Sequence, residues 1–423
     1  MYDRVDLNYL QSQISQKFSH FTDSMQINSA IDEYNSSLTL LRDELAPLKT
    51  VCVSDRISSE WFNTVCRDAK RNKRRAERKW RKSKTHASLL AYQKKCIEYH
   101  RVLVEERTAS IQAQVDICGQ KRLFKIARKL LGNCAADLFP TAESHLQLAN
   151  DFDAFFIQKV KRLRNKITPS ESSPSFGLPT SSPALQLSKF ESFNLLNNED
   201  VIDIVKSMET KTCDLDPFPT NILVSLPTTM ISLFRKLINS SLSSGLFPEA
   251  LKLGLVSPIL KKHQIDHTEF SNFRPITSIP FISKIFEKVV VSKLVKHLDD
   301  NGLNDQFQSA YRKFFSTETA ILKVHDDIMQ ALDTGECILS VYLDMSAAFD
   351  TIDHNILLNR LIDIGISGSA LGWFQSYLIS RRQCVKIKSS ISDPVFLECG
   401  VPQGFNSGSC PLHHLHLSPQ QYH

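Results

Sequence analysis

No stretch of the 423 residues approaches the roughly 18 apolar positions that a membrane-spanning helix requires. The first residues, MYDRVDLNYLQ, hold no apolar core of the kind a secretory leader carries. Both absences point to a protein of the nucleus or cytoplasm with no membrane partner. Glycine is scarce, 13 residues in all, and has no G-x-y period, which excludes a collagen-like rod. No two of the ten cysteines stand in C-x-x-C spacing, so a zinc ribbon is not expected and the thiols read as buried singles. No internal repeat is visible, so a solenoid is not expected either.

Apolar side chains make up 42% of the sequence and charged ones 23%, enough to build packed cores in two or three domains. The net charge of +6 is unevenly spread. Between Arg67 and Lys84 eleven Lys or Arg face only Asp68 and Glu77, a local +9 that leaves −3 for the rest. One segment therefore holds the positive excess, as a localised contact with a polyanion would require.

The chain divides by texture. Residues 1–165 are rich in Lys, Arg, Gln and Leu and mostly helical in pattern, and they read as one basic helical region. Residues 166–190 contain four prolines among serines and read as a linker. Residues 191–404 mix helical and strand patterns, an α+β domain. Within it, 281–298 is an amphipathic helix with Ile282, Ile285, Val289, Val290, Leu294 and Leu298 on one face. Thr317–Leu332 is another helix. Cys337–Leu343 (CILSVYL) reads as a buried strand. Asp353 caps a helix carrying Ile356, Leu357 and Leu361, and Ser367 caps the next. Strands are expected at 255–260 and 383–388, the latter paired with 395–398. Residues 405–423 have neither periodicity nor a core-forming run.

The strand-like CILSVYL runs into Asp344, and Phe349 follows five residues later. A carboxylate at a strand end suits a hard cation such as Mg²⁺. Four segments occur in a telling order: SNFRPITSIPFISKIFEKVV at 271–290, QFQSAYRKFFSTETA at 306–320, YLDMSAAFDTIDH at 342–354 and GVPQG at 400–404. Together they resemble the polymerase of LINE-type (non-LTR) retrotransposons, jockey-like elements especially. The resemblance implies an RNA-directed DNA polymerase, a nucleotidyltransferase with RNA template, DNA primer or target, and dNTP as partners. It also implies a right-hand fold, here incomplete, with fingers and part of a palm over 191–404 and the thumb missing.

The resemblance also implies roles for matching positions. Asp344 would be catalytic and hold Mg²⁺. Lys261 or Lys262, with Arg274, would grip the triphosphate. Phe349 would exclude a 2′-hydroxyl, Gln403 would meet the sugar, and Gly404 would let backbone approach. Asp350 is read as orienting backbone and Asp353 as a helix cap. In the basic stretch, Arg71, Lys73, Arg74, Arg75, Arg78 and Lys79 are the expected phosphate contacts, with Trp80 stacking on a base. As a helix, that stretch would carry cations on nearly every face. It also reads as a nuclear-localisation signal.

The sequence departs from the family pattern at Ala310 and Phe314, where glycine is usual. It lacks the F-A-D-D or Y-A-D-D motif that supplies the second catalytic carboxylates, so these residues alone are expected to be inactive, and a catalytically dead nucleic-acid-binding protein is the alternative. Back-translation suggests that 405–423 is a frameshifted, disordered tail. Shifted by one base, permitted codons there read S-I-L-G-P-A-L-F-T-I-Y-I-S-P, much as the family continues after GVPQG.

Overall fold

The computed structural model describes residues 5–47, 61–116, 139–167, 188–262, 265–304, 307–310, 312, 314–343 and 347–402, with isolated positions at 123 and 126–127. Most of the Pro/Ser-rich linker and the whole of 405–423 lie outside the described residues, as do Asp344, Gln403 and Gly404. The chain forms two units, one from residues 1–48 and 139–423, the other from 49–138.

Among the described residues of the unit 49–138, the long helices are α3 (Thr64–Ser83) and α4 (His86–Asp116). Asn63 caps α3, its side-chain oxygen accepting from the Cys66 amide at 3.2 Å. Lys84 turns the chain in the left-handed region, φ 50°. The helices run antiparallel, because their contacts pair positions in reverse order. Trp80 stacks on Tyr92 with centroids 5.6 Å apart, Lys73 lies over the Tyr99 ring at 5.3 Å, and Asn63 donates to Glu106 at 2.7 Å.

The larger unit gathers α1 (Leu7–Lys17), α2 (Ile27–Leu45), α5 (His145–Ile167), α6 (Asn198–Lys206), α7 (Thr220–Val224) and α8 (Pro227–Ser244). Strands β1 (Leu253–Leu260) and β2 (Phe273–Ser278) follow. Next come α9 (Phe281–Asp300), α10 (Thr317–Asp333), α11 (His354–Asp363) and α12 (Gly368–Leu378). Last are β3 (Arg382–Ile387), β4 (Ser390–Ile391) and β5 (Val395–Phe396). The expected basic region 1–165 is thus divided. Leu10, Ile14, Ile31 and Leu38 share one buried cluster with Phe234, Ile285 and Trp373. Polar ties reinforce it: Ser240 donates to the Met25 carbonyl, and Arg235 meets Asp23 at 2.6 Å. The physical reason is that α1 and α2 each carry an apolar stripe, which burial against α8 removes from water.

Local sequence explains most elements. Helix α9 contains no Gly or Pro, and all six residues expected on its inner face are buried. The Asp353 carboxylate accepts from the Asn355 amide at 2.9 Å, so it does cap α11, although Ile356 is exposed there. Ser367 occupies the N-cap position of α12 without a side-chain capping bond. Trp373, Phe374 and Tyr377 of α12 fill the centre of the helical core, and the Trp373 indole N–H donates to Ser241 at 3.0 Å. The Tyr377 hydroxyl donates to half-buried Glu287 at 2.7 Å.

In the sheet, the described strands run in the order β2-β1-β3-β4, with β5 also paired to β3. Strand β1 is antiparallel to β2 and parallel to β3. The parallel pair requires a crossover, which helices α9 to α12 supply. As expected, β5 pairs with β3. Helix α5 covers one face, packing Phe152 and Phe156 against Val256, Phe273, Val385 and Ile387. Leu255 and Cys384 face the other way, toward Cys213. No helix among the described residues is long and apolar enough to cross a membrane.

One expected strand is absent. Residues 337–343 form no strand and lie in the open: Leu339 is 89% exposed and Leu343 90%. Beta-forming side chains do not make a strand without a ladder partner, and among the described residues none pairs with this segment. Cys337 is likewise exposed, against the expectation of buried thiols, whereas Cys66, Cys213 and Cys384 are buried. Phe314 stands at φ 69°, in the left-handed region where glycine is at ease, which is a physical cost of its departure from the family pattern. These contrasts predict unequal sensitivities. Trp373→Ala should lower stability by about 3–5 kcal/mol, and Leu343→Ser should change it by less than about 0.5 kcal/mol, both read from urea midpoints.

Candidate functional site

Two motifs far apart in sequence are joined by main-chain hydrogen bonds. The Val401 N–H donates to the Phe349 carbonyl at 3.0 Å, and the Gly400 N–H to that of Ile352 at 2.8 Å. Gly400 makes this approach feasible. Its φ is +83°, and a Cβ placed there would sit 2.7 Å from the Asp350 carbonyl oxygen. His354 adds a third tie, its Nε2 lying 2.8 Å from the Gly400 carbonyl. The 349–350 turn is closed by the Asp350 N–H donating to the Ala347 carbonyl at 2.9 Å.

A cavity of about 90 Å³ opens beside this junction. Its walls come from α5, from Pro275 and Thr277 of β2, from the start of β3, and from 396–402, with Asp350 among the lining residues. Burial pushes the Asp350 carboxyl up to about 6, with Lys159 opposing the shift. Asp350 was expected only to orient backbone, yet its side chain is part of the site. Asp353 keeps its capping role and also accepts from Arg164 of α5 at 2.6 Å.

The β1–β2 hairpin carries the expected cations. Ile259 and Arg274 are directly opposed across the ladder, so they share a face. Lys261 lies two residues beyond Ile259, and its N–H continues the ladder to the Asn272 carbonyl at 2.9 Å. Alternation therefore puts Lys261 on the Arg274 side and Lys262 on the other. Partial burial, then Lys159 and Arg274, hold the Lys261 ammonium below the usual lysine range. Geometry thus favours Lys261 over Lys262 as the companion of Arg274. Phe349 is half-buried at the junction.

Sequence reasoning missed α5. The available signal was its spacing: Phe152, Phe156 and Lys159 recur at i, i+4 and i+7, which puts the lysine at the end of an apolar stripe. The Pro/Ser-rich segment that follows suggested a boundary instead.

On α3 the cations do not cover every face. Cys66, Ala69, Ala76 and Trp80 are buried or half-buried. Trp80 is stacked on Tyr92, so one ring face expected for a base is occupied. Lys73 is turned over Tyr99, while Arg71 meets Asp68 at 3.0 Å. Arg74, Arg75, Arg78 and Lys79 are exposed.

Comparison with known proteins bears on the same part of the chain. Residues 259–412 match the family described as reverse transcriptase (RNA-dependent DNA polymerase). Over 201 residues the chain is 31% identical to a Drosophila melanogaster protein named "Probable RNA-directed DNA polymerase from transposon X-element", covering 48% of this chain and 22% of that one. It is 26% identical over 209 residues to the "RNA-directed DNA polymerase from mobile element jockey" of Drosophila funebris, covering 49% of this chain and 22% of that one. The aligned stretches therefore span less than a quarter of these relatives' length. The chain thus contains a segment that matches the reverse transcriptase family, and it is similar to polymerases of non-LTR, jockey-like elements.

Reverse transcriptases generally use divalent metal ions. Among the described residues no group of three or more His, Cys, Asp or Glu gathers to hold one. Asp344, the expected ligand, lies outside them.

Asp350 gives a testable pH effect. A carboxyl whose pKa rises from 3.8 to about 6 on folding favours the folded state when protonated. That contribution is full below pH 3.8 and is lost as pH climbs toward 6. Asp350→Asn should therefore raise the urea midpoint at pH 8 and leave it nearly unchanged at pH 3.5, the gain at pH 8 being of the order of 1–3 kcal/mol.

Proposed function

We propose that the cavity at the 349–350 and 399–402 junction, with the Lys261–Arg274 hairpin, is the nucleotide site of an RNA-directed DNA polymerase domain. The observation that carries this is the backbone junction itself. It brings Phe349 and residues 400–402 together beside a cavity whose lining is rich in lysine and arginine, as a triphosphate would require. Arg274 and Lys261 bind and orient the phosphates. Phe349 restricts the sugar, and the resemblance gives Gln403 and Gly404 a role toward the nucleotide as well. Asp344 would hold Mg²⁺, which when bound would supply charge stabilisation for transfer of the nucleotide to a primer 3′-hydroxyl.

The same reading gives α3 and α4 the nucleic-acid contact. Arg74, Arg75, Arg78 and Lys79 present charge outward, while Trp80 and Lys73 stiffen the hairpin through Tyr92 and Tyr99. Such binding is independent of base sequence. The basic stretch also fits a nuclear-import signal, with residence in nucleus or cytoplasm following from it.

For the 423 residues by themselves we propose binding without synthesis. Asp344 provides one carboxylate motif, and a two-metal reaction needs a second. The test is dNTP incorporation on a primed RNA template with Mg²⁺. Background incorporation is expected. Activity above background that Asp344→Asn abolishes would contradict the proposal of inactivity.

Replacing Arg71, Lys73, Arg74, Arg75, Arg78 and Lys79 by Ala should flatten the salt dependence of binding to RNA or DNA. With about six phosphates neutralised, affinity of the unaltered chain should fall about a thousandfold between roughly 50 and 200 mM salt. An unchanged slope in the variant would show that α3 is not the contact.

A further inference from the structure

Lys159 belongs to α5, which precedes the Pro/Ser-rich segment and lies outside the matched stretch 259–412. Helix α5 is nevertheless fixed to the sheet. Phe152 and Phe156 are buried against Val256, Phe273 and Val385, and the Asp153 carboxylate accepts from Gln383 at 2.6 Å. One turn on, Lys159 is half-buried and lines the cavity.

Several other cations of the lining have side-chain partners. Lys161 lies 3.6 Å from Glu398 and Arg164 meets Asp353 at 2.6 Å, while Arg381 stacks over the Tyr377 ring at 4.6 Å and leaves its buried Nη2 without a hydrogen-bond partner. Arg382 lies over Phe396 at 5.9 Å. Lys159 has no such tie among the described residues. Its ammonium is near enough to Asp350 and to Lys261 to influence both carboxyl and amine. A lysine in a cavity wall with no ion-pair partner is placed to make a charge-assisted contact with an anion bound there. Lys161, Arg164, Arg381 and Arg382 add positive charge around it, against Asp350 and Glu398.

We propose that Lys159 is a phosphate-binding cation of the nucleotide site, reaching the triphosphate in the cavity from α5. This rests on the reading of the cavity as a nucleotide site. It makes the helix upstream of the Pro/Ser-rich segment part of the substrate pocket, and it ties nucleotide affinity to the docking of α5.

The test uses the full chain and calorimetric titration with dTTP and with inorganic tripolyphosphate. Lys159→Gln should weaken both by about tenfold, the loss of one charge-assisted contact. Lys159→Arg should restore binding, because it keeps the charge. Lys166→Gln, an exposed cation on the same helix, should have no effect. Failure of Lys159→Arg to restore binding would assign the residue to packing and overturn the proposal. Unchanged binding in Lys159→Gln, with Arg274→Gln weakened, would overturn it and leave the nucleotide reading standing. If the unaltered chain takes up neither ligand, or neither variant weakens binding, both fall together.

Discussion

Two main-chain hydrogen bonds, Val401 to Phe349 and Gly400 to Ile352, hold the candidate site together. They couple segments about fifty residues apart, and they depend on Gly400, because a side chain there would strike the Asp350 carbonyl. Everything else around the cavity is placed relative to this junction. The turn that bears Phe349 and Asp350 is pinned from one side by 400–401 and from the other by α11, whose cap is Asp353. Position in such a site comes from backbone, which is harder to deform than any side-chain contact.

The second constraint is the sandwiching of a small sheet. Helix α5 seals one face with phenylalanines, and Leu255 with Cys384 seals the other against Cys213. The same docking that buries two aromatic rings places Lys159, three residues on, in the cavity lining. Packing and chemistry are thus linked through one helix. The α3–α4 hairpin follows a different logic. Its inner face is held by ring stacking and a lysine over a tyrosine, which leaves the remaining cations outward for a polyanion.

Much of this was legible in the residues. The inner face of α9, the cap at Asp353, strands β1 and β3, and the pairing of β5 with β3 all follow from periodicity and capping chemistry. The family resemblance also holds, and of the two lysines the sequence left open the strand register puts Lys261 on the Arg274 side. What was not legible depended on partners. Cys337–Leu343 has the composition of a buried strand, but composition states a preference and not which strand lies alongside. Trp80 read as a free aromatic because Tyr92 is twelve residues away on another helix. The division of 1–165 between two units was hidden for the same reason: α1, α2 and α5 look like their basic neighbours in composition, and only their apolar stripes separate them.

The central claim is that a nucleotide sits where the two motifs meet. Direct ultraviolet crosslinking of dTTP to the full chain, followed by peptide mapping, tests it without requiring catalysis. Adducts are expected on peptides containing Phe349 and Asp350 or residues 396–402. Adducts confined to α3 and α4, with none at the junction, would contradict the account.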